Sequence, residues 1–528
     1  MRRQIRLLGL LVLFVALVPA ASAGADPYPV TNTADSGAGS LRAAIEAANS
    51  HPGGDTIPIE ATGTIGLLSA LPQVENAAIQ GPGAASLAVE RAAAPAFRIF
   101  SFGVGSSSLS DLTVRGGTAE AGGGILNGAG SLTLIRVVVS DNEAVVEGGG
   151  TALARGGGIL SEGTLTIRES FVFENTVTAR NGSAETTASG GGVAALGPLT
   201  IDGSTVAANL ARALGVGVED ALAVGGGILV MGSPTTIDRS TISYNAALAA
   251  AGSDRNVARG GGIGGGASGG ESQLTSSTLI GNSAATNPTG APIDSAIGAN
   301  VHTSTASVLR NTIVSFPQGG PTSCAGVISS AGFNLDEGNS CGFGQSTDLV
   351  DVSPGLNLSL ENLGGPTPTH ALLSGSIAID RGNSFGASTD QRGLPRPSDF
   401  PAISDKEGGD GSDIGAFELQ VPPGGAPPPP PPILVGTEPG DRTPPQTRIV
   451  SGPARVGYER KAKFRFNSSE GQSSFKCKLD KKKWKKCRSP YELKVKPGKH
   501  LFKVRAIDRF GNADPSPARF SWRVKPVG

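Results

Sequence analysis

Residues 156–175 read GGGILSEGTLTIRESFVFEN, and this pattern recurs along the chain at a nearly constant spacing. Each copy opens with three glycines and an apolar residue, continues through short runs rich in β-branched residues, and closes on an asparagine. The five glycine triplets follow one another at steps of 34, 34, 35 and 35 residues: 122–124, 156–158, 190–192, 225–227 and 260–262. A fixed period of this length is typical of repeat architectures.

Such a unit is too short to close a hydrophobic core alone. Each short strand needs a copy of itself about 4.8 Å above and below to satisfy its backbone, so the pattern predicts a stacked β-solenoid. We expect one interior column formed by the residues that follow the triplets: Ile125, Ile159, Val193, Ile228 and Ile263. Glycine suits the corners because it accepts a positive φ. We expect a left-handed conformation and hydrogen bonding along the axis for the closing asparagines: Asn142, Asn175, Asn209, Asn245 and Asn282.

The surplus length of the units falls at one corner, in residues 143–155, 176–189, 210–224 and 246–259. Insertions at one corner of a solenoid stack on one face, which is a usual place for binding. These segments are predicted as loops, are rich in alanine and lack the exposed Trp or Tyr that carbohydrate platforms usually need. Two interpretations stay open, a binding face and a tolerated insertion without function.

The chain has 528 residues, which leaves room for two or three domains. Residues 1–23 read as a secretory signal peptide, with Arg2, Arg3 and Arg6, the apolar run 7–18 and the small residues 21–23. No later stretch has the length needed to span a bilayer. We therefore expect a secreted or cell-surface protein that is not inserted in a membrane.

Four cysteines pair naturally by region, Cys324 with Cys341 and Cys477 with Cys487. An even count at short spacing in an oxidising compartment predicts disulfide bonds. A metal site is the poorer interpretation, because neither pair is Cys-x-x-Cys and no histidine cluster lies nearby.

The balanced charge, 44 basic against 44 acidic residues, conceals a division within the chain. Residues 441–528 hold 24 Lys and Arg against 7 Asp and Glu, and the rest of the chain holds 20 against 37. The segment 421–440 between these regions contains six consecutive prolines, Pro427–Pro432. A run of this kind favours extended polyproline II and acts as a semi-rigid spacer, so it marks the clearest domain boundary.

The N-terminal stretch 30–49, VTNTADSGAGSLRAAIEAAN, resembles the CSLREA-type motif that heads many secreted bacterial β-helix proteins. It departs from that motif at Gly39, where the motif has its leading cysteine. The stretch predicts a strand, a glycine turn and a short helix with Leu41, Ile45 and Ala48 on one side. Residues 24–53 are thus expected to cap the open end of the solenoid and cover its strand edges.

A second series lies between about 320 and 420. The segments GFNL, SCGF, GGPTPTHAL, AID, DQRG and DIGAFE follow in order at 332–335, 340–343, 364–372, 378–380, 390–393 and 413–418. This series resembles the choice-of-anchor Q family, whose members are right-handed parallel β-helices of the pectin-lyase-like group. The resemblance implies that residues 54–420 form such a β-helix. No LPxTG-type signal or terminal apolar helix is found, so covalent anchoring has no support.

Residues 441–528 resemble the Ig-like repeats of secreted actinobacterial proteins, through segments such as FKCKLD at 475–480 and VRAID at 504–508. Alternating apolar pairs, among them Phe464/Phe466 and Trp522/Val524, predict the strands of a β-sandwich. A domain with so large a positive excess attracts polyanions. The hairpin between the two cysteines carries candidate polyanion-binding residues: Lys481, Lys482, Lys483, Trp484, Lys485 and Lys486. The alternative is a solvated hairpin tip.

Parallel β-helices include polysaccharide lyases and hydrolases, but the fold alone does not decide activity. We find neither the Gly-His-Gly nor the Arg-Ile-Lys element of pectin hydrolases. Three aspartates and two arginines near the C-terminal end of the solenoid could form a calcium or lyase site: Asp380, Asp390, Asp413, Arg392 and Arg396. We favour capping ion pairs and turn acceptors for them, because a catalytic pair needs a geometry that sequence does not supply.

The sequence therefore predicts an all-β protein, a right-handed parallel β-helix with an N-terminal cap, a Pro-rich linker and a C-terminal Ig-like β-sandwich. We expect a non-enzymatic monomer without a cofactor, and a calcium ion has no support in the sequence. Its expected role is adhesion or envelope binding, with the basic domain docking on an anionic cell-wall polymer or glycan and without specific nucleic-acid recognition. The alternative function is that of a polysaccharide lyase or glycoside hydrolase of the pectin-lyase-like group.

Overall fold

A computed structural model of the protein describes residues 26–422 and 447–526, apart from gaps at 52, 149, 181–184, 216–219, 233, 251–254, 266–270, 287–294, 320–321, 454–455, 458–459, 469–473, 481, 490 and 508–511. The predicted signal peptide 1–23 and the prolines Pro427–Pro432 lie outside the described residues. The described residues fall into two compact units, the first within residues 26–422 and the second within residues 447–526. No helix in the described part of the chain is long and apolar enough to cross a membrane.

The first unit begins with a short helix, α1, Leu41–Asn49. The Ser40 hydroxyl caps it by accepting a hydrogen bond from the Ala43 amide at 3.2 Å, as N-cap serines do. Leu41, Ile45 and Ala48 are buried on one side of the helix, which confirms the predicted amphipathic pattern.

Parallel strands then stack coil upon coil in three ladders. The long ladder contains Asp55–Pro58, Ala77–Gln80, Ser106–Ser110, Ser131–Ile135, Thr164–Arg168, Leu199–Asp202, Thr235–Asp238 and Ser272–Thr275. The glycine ladder contains Phe100–Phe102, Ile125–Asn127, Ile159–Ser161, Val193–Ala195, Ile228–Val230 and Ile263–Gly265. The strand Val301–Arg310 joins these two ladders and pairs with Cys324–Ser330. The threonine ladder contains Gly63–Leu67, Leu87–Arg91, Thr113–Arg115, Val138–Ser140, Phe171–Phe173, Thr205–Ala207, Thr241–Ser243, Thr278–Ile280, Ile313–Ser315, Leu335–Asp336 and Leu349–Val350. This is the predicted right-handed parallel β-helix.

The predicted interior column is confirmed. The residue after each glycine triplet pairs directly with its counterparts in the coils above and below, and all five are buried: Ile125, Ile159, Val193, Ile228 and Ile263. The first glycine of each triplet has a φ between +57° and +68°, a conformation that L side chains rarely adopt. These glycines are Gly122, Gly156, Gly190, Gly225 and Gly260.

The closing asparagines form a buried column of side-chain hydrogen bonds, with amide nitrogen to amide oxygen distances of 2.9–3.0 Å between successive coils from Asn142 to Asn282. The predicted left-handed conformation at these asparagines is wrong. It belongs to the preceding residue in each coil: Asp141, Glu174, Ala208, Tyr244 and Gly281. The reason is that the asparagine side chain must face inward to reach its copies, while the residue before it makes the turn of the backbone.

The corner segments also differ from the prediction, because they form strands instead of loops. One ladder contains Thr118–Ala119, Glu143–Glu147, Thr176–Arg180, Leu210–Leu214, Ala246–Ala250 and Ser283–Thr286, and a second contains Ala152–Arg155, Glu185–Ser189, Asp220–Val224, Asn256–Arg259 and Ser295–Ile297. We call this pair of ladders the fin. Alanines at alternate positions, such as Ala211 and Ala213, form its core and let two sheets pack together without large side chains.

The last strand of the first unit is Leu349–Val350, so the stacked coils end before the limit of the predicted range 54–420. The segment that follows, residues 352–421, returns over the outer face of the threonine ladder. Gln391 is buried there, donates to the Thr205 hydroxyl at 2.8 Å and accepts from the Thr241 hydroxyl at 2.6 Å. We call residues 352–421 the return segment. It covers threonines that would otherwise face solvent.

The second unit consists of two sheets around one apolar core. A three-stranded sheet contains Thr447–Ser451, Lys461–Ser468 and Tyr491–Lys494, and a five-stranded sheet contains, in spatial order, Val456–Gly457, Ala518–Val524, Gly498–Ile507, Ser474–Leu479 and Lys485–Cys487. The core includes Phe464, Phe466, Phe502 and Trp522, as the alternating pattern predicts.

Both predicted disulfide bonds are present. Cys324 is bonded to Cys341 in the first unit, and Cys477 is bonded to Cys487 in the second. All four cysteines of the chain are therefore paired.

Candidate functional site

The five-stranded sheet of the second unit has one buried and one outer face. Along Gly498–Ile507, Phe502 and Val504 are buried in the core while Lys499, Lys503 and Arg505 alternate with them. Successive side chains of a strand point to opposite faces, so these three cations lie on the outer face.

The strand register gathers further cations on this face. Lys476 lies opposite both Lys486 and Arg505 on its two neighbouring strands. Lys503 lies opposite both Lys478 and Arg519. Lys499 lies opposite Arg523. We call the resulting set the basic face: Lys476, Lys478, Lys486, Lys499, Lys503, Arg505, Arg519 and Arg523.

None of these eight side chains forms an ion pair within the described residues. The acidic side chains described in this unit are held elsewhere. Glu492 contacts Lys461 at 2.8 Å on the other sheet, Asp514 accepts from the Thr447 amide at 2.8 Å, and Asp480 contacts His500 at 2.9 Å. Like charges directly opposite on neighbouring strands destabilise a sheet, so the basic face gains stability from any anion that lies across it.

The hairpin residues predicted from the sequence do not all lie on the same side of the sheet. Lys486 belongs to the basic face, and the Arg505 guanidinium lies 4.8 Å from the centroid of the Trp484 ring, a cation–π contact. Lys485 lies opposite Cys477, whose side chain is buried. Lys485 is therefore on the side of the sheet opposite to the basic face. Lys482 and Lys483 are exposed, and Lys481 lies outside the described residues.

Sequence reasoning singled out only Lys486 among the cations of the basic face and missed the other seven. A signal was present in the strand around residue 503, where Lys and Arg alternate with the apolar residues Phe502 and Val504. Alternation places the cations of one strand on one face, but only the pairing of distant strands places the cations of different strands side by side.

A shallow pocket of about 410 Å³ lies beside Lys499 and Arg523 at one end of the basic face. Its lining residues are Asp480, Lys499, His500, Leu501, Ser521, Trp522 and Arg523. Asp480 accepts from the Leu501 amide at 2.7 Å and contacts His500 Nδ1 at 2.9 Å. Burial acts to lower the pKa of His500, but the bonds to Asp480 and to the Lys496 carbonyl outweigh it and the net shift is upward.

The acids and arginines singled out on the solenoid lie in the return segment and serve as ion pairs and turn acceptors. Arg396 Nε lies 2.7 Å from Glu418 Oε2, and both side chains are fully buried. Asp413 accepts hydrogen bonds from the amides of Asp380, at 2.9 Å, and Leu419, at 2.6 Å. No group of three or more His, Cys, Asp or Glu residues in the described ranges is arranged to hold a metal ion.

Burial changes the proton affinity of this acidic group. It raises the pKa of Asp413 well above its ordinary value, with the charge of Glu418 adding to the effect, and it raises the pKa of Glu418. Burial, reinforced by the charges of Asp399 and Glu418, raises the pKa of Asp380 to about 7 from 3.8. The Asp380 Oδ1 atom is buried without a hydrogen-bond partner, so an ionised carboxylate is poorly accommodated there.

Replacing Asp380 by asparagine is expected to raise the stability of the first unit more at pH 8 than at pH 5. Between pH 4 and 7 the unfolded chain loses the Asp380 proton while the folded chain keeps it, so wild-type stability falls as the pH rises through this window. Asparagine removes this penalty, a difference of about 2 kcal/mol after allowance for solvent screening. Thermal unfolding of the full chain at both pH values measures it.

The matched control is Asp220→Asn on the fin, where the carboxylate side chain is 51% exposed. Its effect is expected to be the same at pH 5 and pH 8. An Asp380→Asn gain of equal size at the two pH values would contradict the assignment of a raised pKa to Asp380.

Comparison with known proteins gives little beyond this geometry. No protein-family model and no curated protein matches the chain. Among solved structures, the chain is similar to one described as "Crystal structure of pectate lyase Pel9A", with a TM-score of 0.35 and 13% sequence identity over 75% of this chain and 97% of that chain. A similarity of this size carries no argument about activity, substrate or site.

Proposed function

We propose that this protein is a secreted or cell-surface β-helix protein that binds an anionic cell-wall polymer or glycan through the basic face of its second unit. The observation that carries the proposal is a row-by-row array of eight cations on one side of a sheet, with no acidic partner within the described residues. The two disulfides are consistent with an extracellular location, because such bonds persist in oxidising compartments.

A polymer fits this array better than a small anion does. Neighbouring strands lie about 4.8 Å apart and alternate residues of one strand about 6.8 Å apart, so the cations repeat at short, regular intervals. A chain of regularly spaced anionic groups neutralises many of them at once and releases the counterions that each polymer charge had condensed. The resulting affinity depends steeply on salt and little on the sequence or order of the polymer units.

The proposal extends to the role of the two units. We propose that the second unit is an Ig-like domain and that the first belongs with choice-of-anchor Q-like β-helices, on the strength of the motifs given above. A non-enzymatic role is supported by the state of the solenoid acids, since Asp413 and Glu418 are engaged by backbone amides and by Arg396.

Changing Lys476, Lys478 and Lys503 together to glutamine is expected to weaken binding of the full chain to teichoic acid and to a single-stranded oligonucleotide. Three fewer contacts reduce the slope of log affinity against log salt by about 2 for the single strand. Fluorescence anisotropy with the labelled oligonucleotide and competition by teichoic acid, at several salt concentrations, measure both quantities.

The control removes the same charge from the other sheet, with Lys461, Lys463 and Lys494 changed to glutamine. Lys461 and Lys463 are already paired with Glu492, and this variant is expected to keep most of the affinity and slope. Equal losses in the two variants would show that net charge alone attracts the polymer. If the affinity of the wild-type chain for these polymers does not change with salt concentration, the docking hypothesis is wrong.

A further inference from the structure

One aromatic side chain lies among the cations of the basic face. Of the two tryptophans in the chain, Trp522 is 4% exposed and packs in the core of the second unit, on the opposite side of the sheet. Trp484 comes two residues before Lys486, and alternate residues of an extended segment point to the same side. The contact of Trp484 with Arg505, a member of the basic face, confirms this placement.

The indole of Trp484 has one face for a ligand. The Arg505 guanidinium lies over the ring, 4.8 Å from its centroid, and therefore covers one face of the indole. The side chain is half-buried, and within the described residues it is not packed against the apolar core of the unit. The face opposite Arg505 is therefore the one that a ligand can reach.

The groups around this ring are hydrogen-bond donors. Lys476 lies opposite both Lys486 and Arg505, so a row of three cations crosses the sheet beside the indole. Lysine and arginine side chains donate hydrogen bonds and accept none. The one carboxylate in the hairpin sequence, Asp480, already accepts from the Leu501 amide at 2.7 Å. A sugar ring, whose hydroxyls need acceptors as well as donors, is poorly matched to such a site.

An aromatic face among cations matches a different polymer. We infer that the basic face also binds single-stranded nucleic acid, with one base stacked on the open face of Trp484 and the neighbouring phosphates on Lys476 and Lys486. A base has a flat face that stacks without hydrogen bonds, and every nucleotide carries a phosphate near its base, so the strand supplies both groups in each repeating unit. Such stacking tolerates any base, so no particular sequence is read. This inference rests on the basic face of the proposed function and adds a second class of ligand to it.

Trp484→Leu tests the stacking without changing the charge. It removes the ring and keeps an apolar side chain, so the full chain is expected to lose about tenfold in affinity for a thymine oligonucleotide. An abasic oligonucleotide of equal length carries the same phosphates without bases, and its affinity is expected to stay unchanged. The slope of log affinity against log salt is expected to stay unchanged for both, because no phosphate contact is lost.

Two control variants separate the ring from the cations. Trp484→Tyr retains an aromatic face and is expected to keep most of the affinity for the thymine oligonucleotide. Lys476→Gln removes a cation beside the ring, so it is expected to weaken both oligonucleotides equally and to reduce the salt slope by about 0.7. Fluorescence anisotropy at several salt concentrations measures these affinities, and thermal unfolding checks that each variant is folded.

The wild-type chain supplies an independent measurement that needs no variant. Because Trp522 is buried, quenching of the tryptophan emission on binding reports on Trp484. The thymine oligonucleotide is expected to quench this emission, and the abasic oligonucleotide is expected to leave it unchanged.

Three results overturn the inference. Equal losses of thymine and abasic binding in Trp484→Leu would mean that the indole only supports the cations. Unchanged thymine binding in this variant would mean that no base stacks on the ring. If polygalacturonate loses as much affinity as the thymine oligonucleotide, the ring takes a sugar and the assignment to nucleic acid is wrong. Absence of salt-sensitive binding by the wild-type chain to either oligonucleotide and to polygalacturonate is a different result, which refutes the proposed function itself.

Discussion

Replacing Asn209 by alanine is expected to lower the free energy of unfolding of the first unit by about 3–5 kcal/mol. The Asn209 side chain accepts from the amide and side-chain nitrogens of Asn175, both at 3.0 Å. It donates to the carbonyls of Val172 and Ala207, both at 3.0 Å, and to Asn245 at 2.9 Å. Alanine leaves these partners buried in the solenoid without a replacement for the lost amide.

The size of the effect follows from the number of groups left unsatisfied. Each buried polar group that loses its partner costs about 1–3 kcal/mol, and small relaxations of the turn recover part of the total. Asn362→Ala is the control, since Asn362 is exposed and its side chain accepts a hydrogen bond from the Gly364 amide. Chemical denaturation followed by circular dichroism compares the two. Equal, small losses would contradict a structural role for the asparagine column.

Replacing Gly226 by alanine is expected to destabilise the first unit by about 3–5 kcal/mol, for a steric reason. A Cβ atom at this position lies 2.3 Å from the carbonyl carbon of Ala246 and 2.5 Å from the carbonyl oxygen of Gly261. Both obstacles are backbone atoms, one in the same coil and one in the next. Relief therefore requires that stacked coils move apart, which weakens the hydrogen bonds between them.

The control for this prediction is Gly344→Ala, because a Cβ atom at Gly344 meets nothing within 4 Å. Its effect is expected to be within about 0.5 kcal/mol of zero, the usual range for surface substitutions. Denaturation midpoints of the two variants provide the comparison. If Gly226→Ala is tolerated as well as Gly344→Ala, the steric explanation is wrong, and the second glycine of the triplet is needed for backbone flexibility instead.

The period of the sequence was sufficient to predict the solenoid. The residue after each triplet recurs in phase, and a parallel stack brings residues of equal phase together whatever the details of the coil. Both disulfides and the helix Leu41–Asn49 were likewise predictable, since their determinants lie close together in the chain. Local spacing carries this information because each contact joins either near neighbours or exact copies.

The fin and the return segment could not be predicted from the spacing of residues in the sequence. Alternating alanines such as Ala247 and Ala249 give little hydrophobic contrast, so the corner segments resemble loops in sequence although they form strands. The contact of Gln391 with Thr205 and Thr241 joins residues about 150–190 positions apart, and no period connects them. The left-handed turn residue is also variable in type, from Asp141 to Tyr244, which hides its role.

By itself, the sequence determined the repeat, the buried apolar and asparagine columns, the disulfide pairs and the strongly basic character of residues 441–528. Only the tertiary structure decided where those charges lie. Lys476, Arg505 and Arg519 are distant in the chain, and they share one face because antiparallel strand pairing sets their register around the core of Phe502 and Trp522. Burial of the apolar alternate positions fixes that register, and a shift of one residue turns every cation to the opposite side of the sheet.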